Sequence, residues 1–453
     1  MGESSIWRLL MRFSGPSIIS MLVASSYNLV DAIFIGRLGS DALAAMAISF
    51  PLMSIFVAMG MGIAVGASSF ISRRLGAGKK DEANLVAANA ISWFVIIAII
   101  MAVIVLLNLA GLLRLFGATG AVLDYAMKYM FIETTFLVFN FFSVVLAELV
   151  RAEGNPLLAS ASQITAGTIN CIMDPILIWG WGIFPELGIA GAAWATTTGR
   201  VVSIAILLGY LLSKRSSYNL RLKLFIPKLK IIREIYRVGF ATVIRMSAAS
   251  FVQIISARIA SSFGVIPLAT LGVLVRVNSF VFMPCAGISQ GMLPVIGYNF
   301  GAKKLKRVAE AVTKGAFAGF IWGMFILIII MVFARQVMSI FNSDPEFLAI
   351  GTTAVRIFSL SYFVTGVQMT LSSYFQGTGK GLASIIVTSS RQILFLIPSI
   401  LVSSSLFGLT GLWAAFPVAD FLSIALSFTW TYFEFRKTGL RFTLRSGQIS
   451  KPS

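Results

Sequence analysis

Histidine is absent from all 453 residues, and with it the side chain that most often serves as general base, proton shuttle or metal ligand near neutral pH. Cysteine is nearly absent: Cys171 and Cys285 both fall inside apolar stretches. A disulfide framework is therefore not expected, and no metal-ligand spacing exists. Charged residues make up 12% of the chain, where a water-soluble domain carries roughly a quarter. Acids are the scarcer sign, 17 against 36 lysines and arginines, leaving a formal charge of +19. In a soluble protein that balance would indicate nucleic acid. Here the bases sit in short connectors between apolar runs, and no nucleic-acid partner is expected. A phosphate-cradling glycine loop with a lysine is also missing, which argues against an ATP-driven pump. Without a nucleophile motif or paired metal ligands, an enzyme has no support, and no cofactor is expected.

Apolar residues are what the chain has in quantity, 58% of the total, in runs such as 91–107 and 317–333. A helix needs about 20 mainly apolar residues to cross a bilayer. In lipid it must also close its own backbone hydrogen bonds, so helix is the form such runs take. The sequence predicts an all-α membrane protein with twelve transmembrane helices. The first six run over 15–36, 46–71, 87–107, 128–150, 157–181 and 188–213. The second six run over 236–262, 268–292, 311–333, 353–375, 382–405 and 409–433. Arg8 and Arg12 ahead of the first run resemble a signal peptide, but the run continues to Ile35. That is too long for such a signal and reads as an uncleaved first span.

The longest polar connector, 213–233, carries Lys214, Arg215, Arg221, Lys223, Lys228, Lys230 and Arg233. It divides the chain into an N-lobe over 1–213 and a C-lobe over 236–436, with 214–235 as basic connector and 437–453 as tail. Only Arg37, Arg114, Lys128 and Arg335 lie in connectors on the side opposite the termini. The positive-inside bias then puts both termini and the central connector in the cytoplasm of a prokaryote, the protein crossing its inner (plasma) membrane many times. Sliding the chain by 225 residues sets Gly39 on Gly264, Gly62 on Gly287, Gly66 on Gly291, Gly76 on Gly301 and Gly154 on Gly379. Local matches add weight: Gly76-Ala77 with Lys79-Lys80 answers Gly301-Ala302-Lys303-Lys304, and Phe116 falls on Phe341. Six helices per half is an even number, so the halves form a parallel internal repeat of two six-helix lobes, with a substrate cavity expected between them.

The chain resembles the multidrug and toxic compound extrusion family over nearly its whole length. In the first half the resemblance rests on Tyr27-Asn28-Leu29-Val30-Asp31 with Ile35-Gly36-Arg37-Leu38-Gly39, on Gly76-Ala77-Gly78-Lys79 and on Arg151-Ala152-Glu153-Gly154-Asn155-Pro156. In the second it rests on Phe375-Gln376-Gly377-Thr378-Gly379-Lys380, on Arg391-Gln392 with Phe395-Leu396-Ile397-Pro398, and on Pro417-Val418-Ala419-Asp420. The second-half pattern is similar to a bacterial multidrug-exporter branch. The resemblance implies two lobes facing a central cavity and export of mostly cationic, amphipathic organic compounds in exchange for sodium ions or protons. The chain is expected to work as a monomer in the bilayer.

A charge at mid-bilayer costs from about 3 kcal/mol upward, so each one needs a reason. Asp31 sits near the outer end of the first predicted helix, roughly 8 Å inside the boundary. Asn170 and Asp174 share one face of the fifth, and Ala192 and Thr196 one face of the sixth. Pro175 lacks an N–H, which frees the Cys171 carbonyl beside Asp174. Carboxylates, an amide, a hydroxyl and carbonyls make an all-oxygen set that suits sodium; the same carboxylates could trade protons instead. The resemblance implies that Asp31, Asn170, Asp174, Ala192 and Thr196 form the first-lobe cation site. The alternative is that the two aspartates only satisfy neighbouring helices. Glu133, Glu148 and Glu153 fall near helix ends and are expected to be solvated or to snorkel.

In the second half Arg245, Arg258, Arg276, Arg356 and Arg391 lie within apolar runs against one acid, Asp420. Arg258 and Arg356 are close enough to the boundary to snorkel. Arg391 is expected to pair with Asp420, while Arg245 and Arg391 in the cavity would instead favour anionic solutes. Some family members place acids in the seventh and tenth helices and this chain does not, which leaves a second-lobe cation site without support. Phe and Met, 37 and 18 in number, face lipid or core, with some expected to line the cavity, where flexible side chains suit promiscuous binding. The competing readings are a lipid-linked oligosaccharide flippase and an exporter of anionic or zwitterionic solutes. A channel or receptor is disfavoured, since nothing indicates a selectivity filter or sensory domain.

Overall fold

Segments too apolar for water fold as helices, because in hydrocarbon a backbone amide finds no partner outside its own helix. The computed structural model describes residues 1–442, and every regular element among them is helical. The first half holds α1 (Ile6–Gly36), α2 (Ser40–Gly76), α3 (Lys80–Leu115), α4 (Gly120–Thr135), α5 (Leu137–Glu153), α6 (Pro156–Trp179) and α7 (Ile189–Leu211). The second holds α8 (Leu229–Ser262), α9 (Val265–Gly301), α10 (Leu305–Ser339), α11 (Pro345–Ser359), α12 (Tyr362–Thr378), α13 (Gly381–Ser390) and α14 (Ile397–Lys437). A π-helical turn, Arg391–Leu396, joins the last two.

α4 with α5 makes one span bent by 52°, and α11 with α12 one bent by 41°. α14 breaks at Gly408, whose φ of 58° and ψ of −137° are not helical; the helix before that break continues α13 and the helix after it is a separate span. α6 is less apolar than its neighbours because Gln163, Thr165, Thr168, Asn170 and Asp174 interrupt it. Counted this way, the described residues form twelve transmembrane segments, six in each half.

Several helices outrun their apolar cores. α2 has 37 residues, roughly 55 Å of helix, where the hydrocarbon layer is about 30 Å thick. Its polar end, through Arg73 and Arg74, contributes nothing to a hydropathy count. For the same reason α1 begins at Ile6 rather than 15. α8 begins at Leu229 rather than 236, which takes the end of the basic connector into a helix.

The repeat is visible in the backbone. α2 and α9, α4 and α11, and α5 and α12 each begin 225 residues apart. Gly39 and Gly264 precede α2 and α9 at the same φ of 123°. That conformation suits only glycine.

The chain forms two compact units, but they do not divide at the connector. One comprises 19–239, the other 1–18 together with 240–453. In the second unit the start of α1 packs Ile6, Leu9, Leu10 and Phe13 into a core with Ile288, Met292 and Ile296. In the first, the start of α8 brings Ile231 and Ile235 into the core of α2, α3 and α5. Glycine makes both placements possible. A Cβ on Gly291 would sit 2.7 Å from the Phe13 carbonyl carbon, and one on Gly287 2.8 Å from the Ile18 Cα. At the matching positions of the first unit, Gly66 lies directly against the Ile235 carbonyl and Gly62 against Gly239. Of the tail expected over 437–453, residues 443–453 lie outside the described residues.

Candidate functional site

In the unit of residues 19–239, α6 and α7 run side by side because two α7 glycines leave room for backbone. Gly191 lies against Leu177 and Ile178, and Gly199 against Ala166. This closeness brings Thr196 of α7 to α6. The Asn170 Nδ2 donates to Asp174 Oδ1 at 3.2 Å and to Thr196 Oγ1 at 3.3 Å. Ala192 is fully buried one turn before Thr196. Asp31, near the end of α1, is 7% exposed and Asp174 0%, and the two interact electrostatically. Asp31 Oδ1, Asn170 Oδ1 and Asp174 Oδ2 have no hydrogen-bond partner among the described residues. Buried oxygens without donors are costly. An amide whose N–H bonds are already spent on Asp174 and Thr196 can offer only its oxygen. Chemically the group is a set of oxygen ligands that includes two carboxyl groups, the kind a hard cation takes.

The structure adds two residues to this neighbourhood. Glu133 is not solvated or snorkelling as expected: it is 0% exposed, accepts from Asn140 Nδ2 at 2.8 Å across the bend between α4 and α5, and leaves Oε1 without a partner among the described residues. The expectation failed because α4 begins at Gly120 rather than 128, which puts Glu133 deep in the span instead of at its edge. Arg200 of α7 donates to the Tyr27 hydroxyl of α1 at 2.9 Å, and both Arg200 and Asp31 interact electrostatically with Glu133. Arg200 was legible as an arginine inside an apolar run, the signal that singled out its counterparts in the second half. Glu148 departs from expectation too, buried in an ion pair with the fully buried Arg151. Glu153 accepts from Ser216 Oγ at 3.0 Å and Ser217 N at 2.9 Å.

In the other unit Arg391, at the first position of the π-helical turn, donates through Nε to Asp420 Oδ1. Ser361 Oγ donates to Asp420 Oδ2 at 2.6 Å. Arg245 lies within electrostatic reach of Arg391. Arg258, Arg276 and Arg356 are exposed. One buried pair was missed: Lys314 Nζ meets Glu310 Oε1 at 2.5 Å, inside α10 because that helix starts at Leu305 and not 311.

Comparison with known proteins follows the same repeat. The MatE family profile matches twice, over residues 16–176 and 241–401, two segments of equal length that begin 225 residues apart. The multidrug export protein MepA of Staphylococcus haemolyticus is 26% identical over 413 residues, covering 90% of this chain and 89% of that protein. MepA of Staphylococcus aureus strain MSSA476 is 26% identical over 428 residues, covering 93% and 92%. Among solved structures, an outward-facing multidrug resistance MATE transporter of the MOP superfamily is 25% identical with a TM-score of 0.90, covering 96% and 97%. A MOP superfamily transporter of Pyrococcus furiosus, described as having a binding pocket of reverse polarity that suggests a different function, is 26% identical with a TM-score of 0.89, covering 97% and 98%. A profile that matches each half in turn, in register with the internal repeat and over most of the chain, makes this protein a member of the MatE family, the multidrug and toxic compound extrusion transporters.

Proposed function

We propose that the chain is a secondary active transporter that exports organic, mostly cationic and amphipathic compounds across the plasma membrane of a prokaryote by alternating access, in exchange for sodium. Both termini and the basic connector face the cytoplasm. The observation that carries the reading is the convergence of donor-free oxygens from Asp31, Asn170 and Asp174 in a buried part of one unit. Asp31 and Asp174 supply the charge. Asn170, oriented by its bonds to Asp174 and Thr196, presents its carbonyl oxygen, and Ala192 contributes through its backbone. A proton would bond to one carboxylate, whereas carboxylates together with neutral oxygens make a set that suits a metal-type cation, which favours sodium over the proton alternative. An entering cation gains about 2.3 kcal/mol per charge per 100 mV. It can drive the conformational cycle only to the extent that it binds one state more tightly than the other. The names of the staphylococcal relatives support the substrate class.

The test is ethidium efflux from reconstituted vesicles with a sodium gradient and a proton gradient imposed separately. A sodium gradient is expected to drive efflux, and Asp31→Asn and Asp174→Asn each to abolish it at equal membrane abundance. Efflux driven by the proton gradient alone would replace sodium with protons; normal efflux by either variant would sink the site.

A second reading, export of anionic or zwitterionic solutes including phosphorylated lipids, is favoured by Arg245, an arginine within α8 that lies near a second one, Arg391. It requires that ethidium is not carried, that an anionic dye is, and that Arg245→Gln abolishes transport of that dye. Under the first reading Arg245→Gln leaves ethidium efflux intact.

A further inference from the structure

The connector between α7 and α8 is not a slack tether. Tyr218 is buried, 6% exposed, and its hydroxyl donates to the Leu149 carbonyl at 2.8 Å. Burial, with the nearby Glu153 charge, holds that phenol well above its ordinary pKa, so it remains a donor. Ser216 and Ser217 are held by Glu153, and Asn219 N donates to Asn84 Oδ1 at 3.1 Å. Asn89 grips the far end twice: its Nδ2 donates to Leu224 O at 2.9 Å, and its Oδ1 accepts from Lys228 N at 2.6 Å. A 3-10 turn, Leu222–Phe225, sets Phe225 against the core of the 19–239 unit.

So fixed, the connector leaves three apolar side chains uncovered. Leu222 is 89% exposed, Ile226 68% and Leu229 80%. Two of these tips stand between bases, as Arg221-Leu222-Lys223 and Lys228-Leu229-Lys230, and all four bases are exposed. Between 213 and 233 there is no acid at all. Nothing in this unit covers the three tips, and apolar tips this exposed are not expected on a surface that meets only water. Nucleic acid would engage the bases and leave the tips idle. A lipid surface engages both, since bases reach phosphates while apolar side chains enter the acyl boundary. The connector also joins two transmembrane helices, so such a surface lies beside it whichever way the protein is oriented.

We propose that residues 221–230 form a prefolded docking surface for anionic phospholipids at the membrane face where the connector emerges, with Leu222, Ile226 and Leu229 inserted and Arg221, Lys223, Lys228 and Lys230 on headgroup phosphates.

A nitroxide at Leu222→Cys, in full-length protein with Cys171→Ala and Cys285→Ala, tests this by electron paramagnetic resonance. The protein is reconstituted in phosphatidylcholine vesicles with and without phosphatidylglycerol. Accessibility is read from dissolved oxygen, which concentrates in lipid, and from a water-soluble nickel chelate. With phosphatidylglycerol the label should be shielded from nickel and open to oxygen; without it, nickel access should rise several-fold. Replacing the four bases by glutamine should remove the lipid dependence. These exposed positions leave the Tyr218, Asn84 and Asn89 anchors in place, so folding is checked by an identical label at Ser217, expected to stay aqueous throughout. Equal nickel access in both vesicles would overturn the proposal. So would a buried label indifferent to phosphatidylglycerol, which would mean plain insertion, or shielding in detergent as well as in both lipids, which would mean a protein occupant.

Discussion

At the scale of single residues, charge imbalance is the informative quantity. Asp31, Glu133 and Asp174 share one electrostatic neighbourhood in which Arg200 is the basic member. If a cation binds beside Asp31 and Asp174, Glu133 adds attraction from a dry position where charges are weakly screened. Glu133→Gln keeps an oxygen for Asn140 and removes a buried charge, so membrane abundance should hold. The apparent sodium affinity for ethidium efflux should fall about tenfold, or about 1.4 kcal/mol. An unchanged sodium dependence would reduce Glu133 to a structural partner of Asn140. Arg391 and Asp420 present the opposite case, a pair whose charges cancel. Removing either partner of a buried pair typically costs about 3–5 kcal/mol, and removing both recovers much of it. Arg391→Gln and Asp420→Asn should each lower yield and the unfolding midpoint, and the double variant should regain most of both. Additive losses in that cycle would show that the two charges are not coupled.

At the scale of the element, glycines divide into those that meet backbone and those that meet nothing. Gly111 on α3 has no neighbour within 4 Å of an added Cβ, whereas Gly66 and Gly291 have a backbone in that space. Gly111→Ala should therefore be neutral or stabilising by up to about 1 kcal/mol. Gly66→Ala and Gly291→Ala should each cost about 1–3 kcal/mol by forcing helices apart, read as a lower unfolding midpoint in detergent. Equal effects at all three positions would contradict the packing described. What the sequence could reveal about elements follows the same distinction. Gly66 and Gly291 were legible as a pair because the repeat aligned them; the backbones they receive were not, since no local pattern encodes a partner far along the chain. The bend between α4 and α5 escaped notice because its residues, Thr135-Phe136-Leu137, are as apolar as a straight helix. Glu133 was misplaced with it. The pairing of Asn170 with Asp174 needed only a spacing of four, and was readable.

At the scale of the whole molecule, the twelve segments and the repeat were legible because hydropathy and periodicity are properties of long stretches. The orientation proposed for the connector is directly testable. Ser217 is exposed and bonds through its backbone N–H rather than its hydroxyl, so Ser217→Cys in a background lacking Cys171 and Cys285 should fold normally. It should resist an impermeant thiol reagent in intact cells and react once they are opened. Ready labelling of intact cells would invert the assignment.

The membership of α1 in two units has a consequence for the order in which the protein is made. Its first turns leave the ribosome well before Gly287 and Gly291, against which Ile18 and Phe13 rest. At about 5–20 residues per second the wait is on the order of tens of seconds. The unit of 19–239 can close as soon as the start of α8 has emerged, within the first 239 residues. The start of α1 thus waits for partners made much later, and a ribosome that stalls in the connector leaves both a missing helix start and an orphaned one.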